Sequence, residues 1–147
     1  METSVIIVGH GNYGTGTESS IKLLAGHNEG VEFIDFLEED TDVTLKAKIT
    51  EAIDKYKVAQ TLFICDLLGG TPFKVCVEIS YEKENMEVTA GCNIGAILET
   101  ILLKDTMKIN ELADNIVKGT KDTAVRFLKV NPAVVIGNED LSTEDGI

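Results

Sequence analysis

Tryptophan is absent from this 147-residue chain, and proline, histidine and cysteine are scarce. The sequence has two prolines, two histidines and three cysteines, and only 5% of its residues are aromatic. Cys65, Cys76 and Cys92 are odd in number, widely spaced and set among apolar residues, without a CxxC motif. We therefore expect reduced, packed thiols rather than disulfides. With so few histidines and no Cys/His cluster, no metal site is predicted.

Positive charge and long apolar runs are also lacking. The chain has 13 Lys and Arg against 25 Asp and Glu, giving a formal net charge of −12. Nucleic acids and anionic membranes require basic surfaces, so neither is expected as a partner. No apolar tract could span a bilayer, and the N-terminus lacks the features of a signal peptide. The sequence predicts a cytoplasmic protein without direct membrane insertion.

The chain does contain a regular alternation of short apolar runs and helical patterns. It predicts strands over residues 4–8, 31–36, 61–65, 86–90 and 133–136. Helices are predicted over residues 17–25, 42–57, 72–80, 94–103 and 110–130. This alternation indicates an α/β fold with a mostly parallel sheet, strand order 2-1-3-4, and the fifth strand at an edge. We expect one domain over residues 1–137 and an acidic, flexible tail over 138–147.

Two residues that follow neighbouring strands are the candidates for chemistry. In such sheets ligands bind beyond the carboxyl ends of the strands where the order reverses, here between strands one and three. His10 lies two residues after the first predicted strand, and Asp66 directly follows the third. Each alone is ordinary, a loop histidine and a turn aspartate. Together they predict a carboxylate that accepts from imidazole Nδ1–H, leaves the Nε2 lone pair free to attack, and stabilises the cationic ring.

A glycine-rich helix start follows Asp66. Gly69, Gly70, Thr71 and Pro72 predict exposed backbone N–H groups, with Thr71 as the helix N-cap and Pro72 in the first turn. The helix dipole favours an anion at this place. Neither loop carries Lys or Arg, so backbone dipoles would have to supply the positive potential. Gly70 and Thr71 are the candidate phosphoryl-binding residues, although the same sequence also suits a plain helix cap.

Three further residues are candidates for the wall of the pocket. Gly11 follows His10 directly, and Phe73 lies in the first turn of the helix after Thr71. Phe73 is as plausible in the core. Asn93 follows strand four, where it could reach the crevice or only cap its own helix. The second histidine, His27, is interpreted as a surface residue.

Four segments together resemble a known family. They are Gly9-His10-Gly11 after strand one, Phe33–Phe36 in strand two, Asp66–Phe73 (DLLGGTPF) after strand three, and Ala90–Ile94 after strand four. In this order they look like the enzyme IIA component of the mannose-type sugar phosphotransferase system. The resemblance runs from about Val5 to Val130, and its most specific part is the pairing of HG with DxxGGTPF.

The resemblance implies a flavodoxin-like three-layer sandwich that carries phosphoryl groups without a cofactor. A IIA component accepts a phosphoryl group from the carrier protein HPr on the tele nitrogen of a histidine, which matches His10. The orienting aspartate matches Asp66. The group passes to a IIB component, expected here as a separate polypeptide, for sugar import by the membrane components IIC and IID. Members are usually homodimers with paired C-terminal segments, so Ala133–Ile136 is the candidate exchanged strand.

Three other functions are compatible with parts of the pattern. The segment Asn12–Glu18 looks like a flavodoxin phosphate loop, which makes a flavodoxin-like FMN-binding electron carrier the main alternative, although few aromatics could hold the flavin. A phosphoacceptor receiver domain would use Asp66 but lacks the acidic pair after strand one. A serine hydrolase lacks the G-x-S-x-G elbow. A phosphohistidine, which is acid-labile and alkali-stable, would separate these from the IIA interpretation.

Overall fold

The computed structural model describes residues 2–130. The predicted strand Ala133–Ile136 and the predicted tail 138–147 lie outside these residues. In chain order the elements are β1 (Thr3–His10), α1 (Tyr13–Ala25), β2 (Val31–Phe36), α2 (Asp42–Lys55), β3 (Gln60–Cys65), α3 (Thr71–Ser80), β4 (Met86–Ala90), α4 (Ile94–Leu103) and α5 (Ile109–Thr123). Within 2–130 no helix has the length and apolar character needed to cross a membrane.

The four strands form one parallel sheet in the order β2-β1-β3-β4. The strand order 2-1-3-4 predicted from the sequence is therefore confirmed. The order reverses at β1, which has β2 on one side and β3 on the other. Pairing of β1 with β3 ends at Val8 opposite Cys65, whereas pairing with β2 continues to His10 opposite Phe36. The two inner strands thus diverge where the candidate site lies.

Alternate residues of the inner strands fill two separate cores. Val5 and Ile7 of β1 pack on the side of α1, α4 and α5, and Ile6 and Val8 pack on the side of α2 and α3. All four side chains are fully buried, as expected for a parallel strand covered on both faces. Helices on both faces make the three-layer sandwich that was predicted.

Helix α1 begins four residues earlier than the sequence predicted, at Tyr13 instead of Thr17. Its first turn contains Gly14, where a Cβ would lie 2.5 Å from the backbone oxygen of Ile34. Asp35 accepts hydrogen bonds from the Thr15 backbone N–H and hydroxyl, both at 2.8 Å. The glycine permits close packing on β2, and a carboxylate from β2 caps the helix. Neither contact can be read from the local sequence.

Helix α5 ends at Thr123, several residues before the predicted break at Asn131–Pro132. The predicted helix over residues 110–130 includes Phe127 on its apolar side, but Phe127 lies beyond α5 and is 77% exposed. A helix is extended mainly by burying an apolar face, and in the described residues 124–130 no such burial occurs. The sequence offers Thr41 or Asp42 as the cap of α2, and the structure selects Thr41, which accepts from Thr44 N. Asn93 caps α4 by accepting from Ala96 N, one of its two predicted roles.

Candidate active site

His10 is the last residue of β1, not a residue two positions beyond it as predicted from the sequence. The strand is longer because Gly9 and His10 still pair with Asp35 and Phe36 of β2. Gly11 then turns the chain with φ of +58°, a conformation that glycine adopts without strain, and its N–H donates to the Phe36 carbonyl at 2.8 Å. The imidazole therefore stands at the carboxyl edge of the sheet on a paired strand.

Asp66 contacts His10 twice. One carboxylate oxygen, Oδ2, accepts from the His10 backbone N–H at 2.8 Å and lies 2.7 Å from the imidazole Nδ1. The other oxygen, Oδ1, accepts from the Leu67 N–H at 2.9 Å. Because β1 and β3 no longer pair beyond Val8, the carboxylate takes the place of a strand carbonyl. The structure thus brings together the two residues that the sequence predicted as neighbours.

The His10–Asp66 dyad has one largely buried and one accessible member. The Asp66 side chain is 11% exposed, and that of His10 is 44% exposed. A carboxylate can only accept, so its contact with Nδ1 places the ring proton on that nitrogen and the lone pair on Nε2. The phenyl ring of Phe36 meets the imidazole edge-on, with centroids 5.7 Å apart and planes at 79°. The ring orientation is therefore fixed from two sides.

The N-terminus of α3 faces the free side of the imidazole. Gly70 is the N-cap, so the prediction of Thr71 as N-cap is wrong; Thr71 is the first helical residue. A Cβ on Gly70 would lie 2.7 Å from His10 Cε1 and 3.3 Å from Nε2, so the cap position has no room for a side chain. Among residues 2–130, no side chain caps this helix start. Its first N–H groups are thus left to another acceptor.

A second close approach supports Asp66 from behind. A Cβ on Gly9 would lie 2.5 Å from Tyr13 Cδ1 and 2.7 Å from Asp66 Cβ. The aromatic ring and the aspartate therefore both pack against the bare Gly9 backbone. Burial, reinforced by the negative charge of Asp66, raises the pKa of the Tyr13 hydroxyl. Tyr13 stays neutral beside the dyad and contributes packing, not charge.

The sequence of the chain matches a known family over most of its length. The family described as the PTS system fructose IIA component, EIIA-man, matches residues 4–117. The chain belongs to this family. The match confirms the resemblance to mannose-type IIA components, and it covers all four strands and the loops that carry His10 and Asp66.

Relatives of this EIIA protein carry the names of several sugars. The sorbose-specific EIIA component of Lacticaseibacillus casei is 29% identical over 114 residues, covering 78% of this chain and 83% of the relative. The fructose-specific EIIA component of Bacillus subtilis (strain 168) is 28% identical over 114 residues, covering 77% of this chain and 78% of the relative. The mannose-specific EIIAB component of Escherichia coli (strain K12) is 31% identical over 134 residues, 90% of this chain but 41% of that longer protein.

Solved structures share the fold. The EIIA component from Streptococcus agalactiae superposes with a TM-score of 0.78 at 29% identity, covering 85% of this chain and 97% of the other. A mannose/sorbose-specific IIA subunit from Enterococcus faecalis gives a TM-score of 0.76 at 23% identity, covering 89% of this chain and 98% of the other. The second likeness concerns the fold alone. The flavodoxin-like sandwich predicted for the chain is that of EIIA structures.

Two residues predicted for the pocket wall have other contacts in this EIIA fold. Phe73 is half-buried and packs against the core between the sheet and helices α2 and α3. The amide of Asn93 accepts from Ala96 N at 3.0 Å and donates to Thr123 Oγ1 at 2.8 Å. Asn93 thus joins the start of α4 to the end of α5. A place for either residue in the wall of the pocket stays a prediction.

The cysteines and the second histidine lie where the sequence predicted. Cys65, Cys76 and Cys92 are buried and free. The adjacent Cys65 thiol, together with burial, raises the pKa of Cys76 well above its usual range, which suits a core thiol. His27 is exposed beside Glu29. Within residues 2–130, no three His, Cys, Asp or Glu side chains are grouped closely enough to hold a metal ion.

Sequence reasoning missed three features at the edge of the dyad. The sequence predicts Phe36 only as a residue of strand two, yet its ring contacts the imidazole. Leu67 and Leu68 form an apolar tip beside His10, 49% and 77% exposed. Lys74 lines a groove of about 400 Å³ together with Phe36 and Thr71. The exposed apolar tip could have been predicted, because two leucines stand in a loop between an aspartate and two glycines. The groove could not, because it is formed by the packing of α2 against α3.

Proposed function

We propose that this EIIA protein carries a phosphoryl group on Nε2 of His10, taking it from phosphorylated HPr and giving it to a IIB component. The observation that carries the proposal is the 2.7 Å contact between His10 Nδ1 and Asp66 Oδ2. It leaves Nε2 as the nucleophilic nitrogen, facing the uncapped start of α3. Family membership supports the same assignment, because PTS EIIA components act in phosphoryl transfer.

The transfer needs no cofactor in this scheme. The lone pair of His10 Nε2 forms a new N–P bond while the N–P bond of the donor breaks and its electron pair returns to the donor imidazole. The His10 ring becomes cationic, and the Asp66 carboxylate stabilises that cation through the retained Nδ1–H. Backbone N–H groups at Gly70 and Thr71, with the Thr71 hydroxyl, would receive the phosphoryl oxygens. Gly11 turns the chain directly after His10 with φ of +58°, and the imidazole stays 44% exposed at the edge of the sheet.

The surroundings of His10 suit a protein partner. Leu67 and Leu68 present apolar surface on one side. Glu38 and Glu39, both exposed, follow within three residues of Phe36, whose ring contacts the imidazole. An apolar centre with a charged rim is the usual composition of a transient interface, and the acidic rim would steer a partner with a basic patch. We propose that HPr and IIB use this surface in turn.

The sugar is chosen elsewhere in this proposal. The group leaves His10 for IIB, and only IIB and the membrane components IIC and IID handle the sugar. The relatives named for sorbose, fructose and mannose therefore share one carrier chemistry with different downstream partners. The FMN alternative has less support, because Asn12–Glu18 belongs largely to helix α1 and its turn is used to pack on β2.

Phosphoryl labelling tests the proposal. Purified protein is mixed with enzyme I, HPr and radiolabelled phosphoenolpyruvate, and the label is mapped by proteolysis and mass spectrometry. We expect one phosphoryl group on His10, stable in alkali and labile in acid. His27→Ala, at the exposed histidine, is the matched control and should label like the wild type. If His10→Ala were labelled as fast as the wild type, the proposed carrier role of His10 would be wrong.

A further inference from the structure

A groove opens between the first turns of α2 and α3, next to the imidazole. Its volume is about 400 Å³, and its lining residues are Phe36, Thr41, Asp42, Thr71, Lys74, Val75 and Glu78. Phe36 touches the His10 ring edge-on, and Thr71 directly follows Gly70, which abuts His10 Cε1 and Nε2. The groove therefore shares its inner wall with the phosphoryl site. Among these lining residues, Lys74 alone is cationic.

Lys74 lies one helical turn from the N-cap. Its backbone N–H donates to the Gly70 carbonyl at 3.0 Å, the first intrahelical bond of α3. Helical side chains lean towards the N-terminus, so a lysine at this position covers the preceding turn. Thr71 lines the same groove, and the flexible four-carbon stem of Lys74 is long enough to bring the ammonium to that turn.

The ammonium of Lys74 has no carboxylate within 4 Å among residues 2–130. Six other lysines form ion pairs there, including Lys46, which holds Glu78 of the same groove at 3.1 Å. Asp42 and the dyad carboxylate Asp66 are the other acidic groups bordering this region. Pairing of Glu78 with Lys46 leaves Lys74 available to a different anion. The chain has a net charge of −12, yet Lys74 places a cation in the groove beside His10, where the phosphoryl dianion is expected.

We propose that Lys74 is an electrostatic positioning residue for the phosphoryl group at His10. This inference rests on the proposed function. As the Nε2–P bond forms and the donor N–P bond breaks, the equatorial oxygens carry the charge. The Lys74 ammonium adds a mobile positive charge to the fixed N–H groups of α3 on one side of those oxygens. The sequence-based expectation that backbone dipoles alone supply the positive potential is thereby amended.

The experiment compares Lys74→Gln and Lys74→Arg with Lys83→Gln. Lys83 is an exposed lysine in the turn after α3, at the opposite end of the sheet, and provides the same charge change far from His10. Each protein is phosphorylated on His10 by HPr and, separately, by phosphoramidate, a small donor that needs no docking. We expect Lys74→Gln to lower kcat/KM about two- to fivefold with both donors, the effect of one exposed charge pair. Lys74→Arg and Lys83→Gln should stay near wild type.

A ³¹P titration of the phosphorylated proteins gives a readout that a purely structural role would not move. A nearby cation favours the dianion, so its removal in Lys74→Gln should raise the pKa of the phosphoryl group, while Lys83→Gln leaves it unchanged. An unchanged pKa with slowing by HPr alone would overturn the inference and make Lys74 a docking residue. Equal rates for wild type and Lys74→Gln would also overturn it. Absence of label on wild-type His10 would instead reject the proposed function itself.

Discussion

At the residue scale, the Asp66 carboxylate holds both the backbone and the imidazole ring of His10. Asp66 Oδ2 binds both the backbone N–H and the ring Nδ1 of His10, so the same atom positions the residue and sets its tautomer. Oδ1 is already engaged by the Leu67 N–H. Such orientation of a reactive imidazole by a partner group is what keeps the attacking nitrogen in place.

Asp66→Asn tests this arrangement. The amide has one acceptor oxygen. If that oxygen takes the place of Oδ1 and keeps the Leu67 N–H, the NH₂ replaces Oδ2, faces Nδ1 and forces the ring proton onto Nε2. The lone pair then points away from the donor, and the cationic ring loses its counter-charge. We expect the fold to remain and phosphorylation by HPr to slow about 10- to 100-fold. Stopped-flow rates and ¹⁵N shifts of the imidazole measure both effects.

Asp35→Asn is the matched control for Asp66→Asn. Asp35 also lies at the carboxyl edge of the sheet, where it caps α1 through Thr15. The substitution removes the same charge from the same edge, but away from the imidazole ring. We expect rates close to wild type. If Asp66→Asn matched this control, Asp66 would have no part in the transfer.

At the element scale, the glycine content of the segment after His10 is explained by helix packing. Gly14 lies in the first turn of α1 against the backbone of β2, whereas no described residue lies within 4 Å of where a Cβ on Gly16 would be. The two glycines are both helical and two residues apart, but only one is required by a neighbour. That difference makes them a natural pair for comparison.

Gly14→Ala should destabilise the protein and Gly16→Ala should not. The methyl group added by Gly14→Ala would collide with the Ile34 backbone, which cannot move aside, at a cost of about 1–3 kcal/mol in the free energy of unfolding. Gly16→Ala removes backbone freedom from the unfolded chain and should stabilise the protein by up to about 1 kcal/mol. Urea denaturation of the two variants measures both values. Equal stabilities would contradict the close packing of α1 on β2.

The connection between β2 and α2 is held by another aspartate. Asp40 binds Lys48 Nζ at 2.6 Å, the Leu37 N–H at 2.8 Å and the Thr44 hydroxyl at 2.9 Å. The Lys48 ammonium and the Leu37 N–H lower the pKa of Asp40 from 3.8 to about 2. These bonds fix the acidic loop that borders Phe36 and hence the His10 ring.

The sign of this shift predicts the acid behaviour. A carboxyl group whose pKa is lowered in the folded state stabilises the protein at pH values above its ordinary pKa of 3.8. That contribution is lost as the pH falls towards 2. The wild type should therefore lose stability more steeply in this range than Asp40→Asn, as measured by urea midpoints. Glu39→Gln, at the exposed neighbour, should follow the wild type. Parallel curves for wild type and Asp40→Asn would contradict the role of the ion pair.

At the scale of the whole molecule, the segment after α5 presents apolar side chains that nothing in residues 2–130 covers. Val125, Phe127 and Leu128 are 81%, 77% and 63% exposed. A contiguous exposed apolar segment of this kind commonly marks an interface. It leads to residue 131, where the sequence continues towards the predicted strand Ala133–Ile136. We propose that this segment after α5 contacts a second copy of the chain, as the family resemblance implies.

Light scattering tests the dimer. At micromolar concentration we expect a mass of twice 15.9 kDa for the full chain. The double variant Phe127→Glu/Leu128→Glu should shift the mass towards the monomer, because it places charge in the buried interface. Val43→Glu, at an exposed apolar residue of α2, provides the same chemical change elsewhere and should remain dimeric. A monomeric wild type would refute the dimer.

The sequence by itself determined the sheet and the pairing of the reactive groups. A strand as uniformly apolar as Val5–Val8 suits a parallel sheet covered on both faces, and the alternation with helices favours the order β2-β1-β3-β4 that the structure has. That order places His10 beside Asp66. The caps of α2 and α4 were narrowed from the sequence to Thr41 or Asp42 and to Asn93, because an N-cap is a local interaction within four residues.

The tertiary structure alone decided what lies around the imidazole. The start of α1, the glycine cap at Gly70, the edge-on ring of Phe36 and the groove of Lys74 all depend on contacts between segments distant in sequence. Local propensity favours a loop at Gly14 and a threonine cap at Thr71, and in both places close packing overrides it. The sequence thus identified the candidate pair His10 and Asp66, and the packing of α1, α2 and α3 around it defined the candidate site.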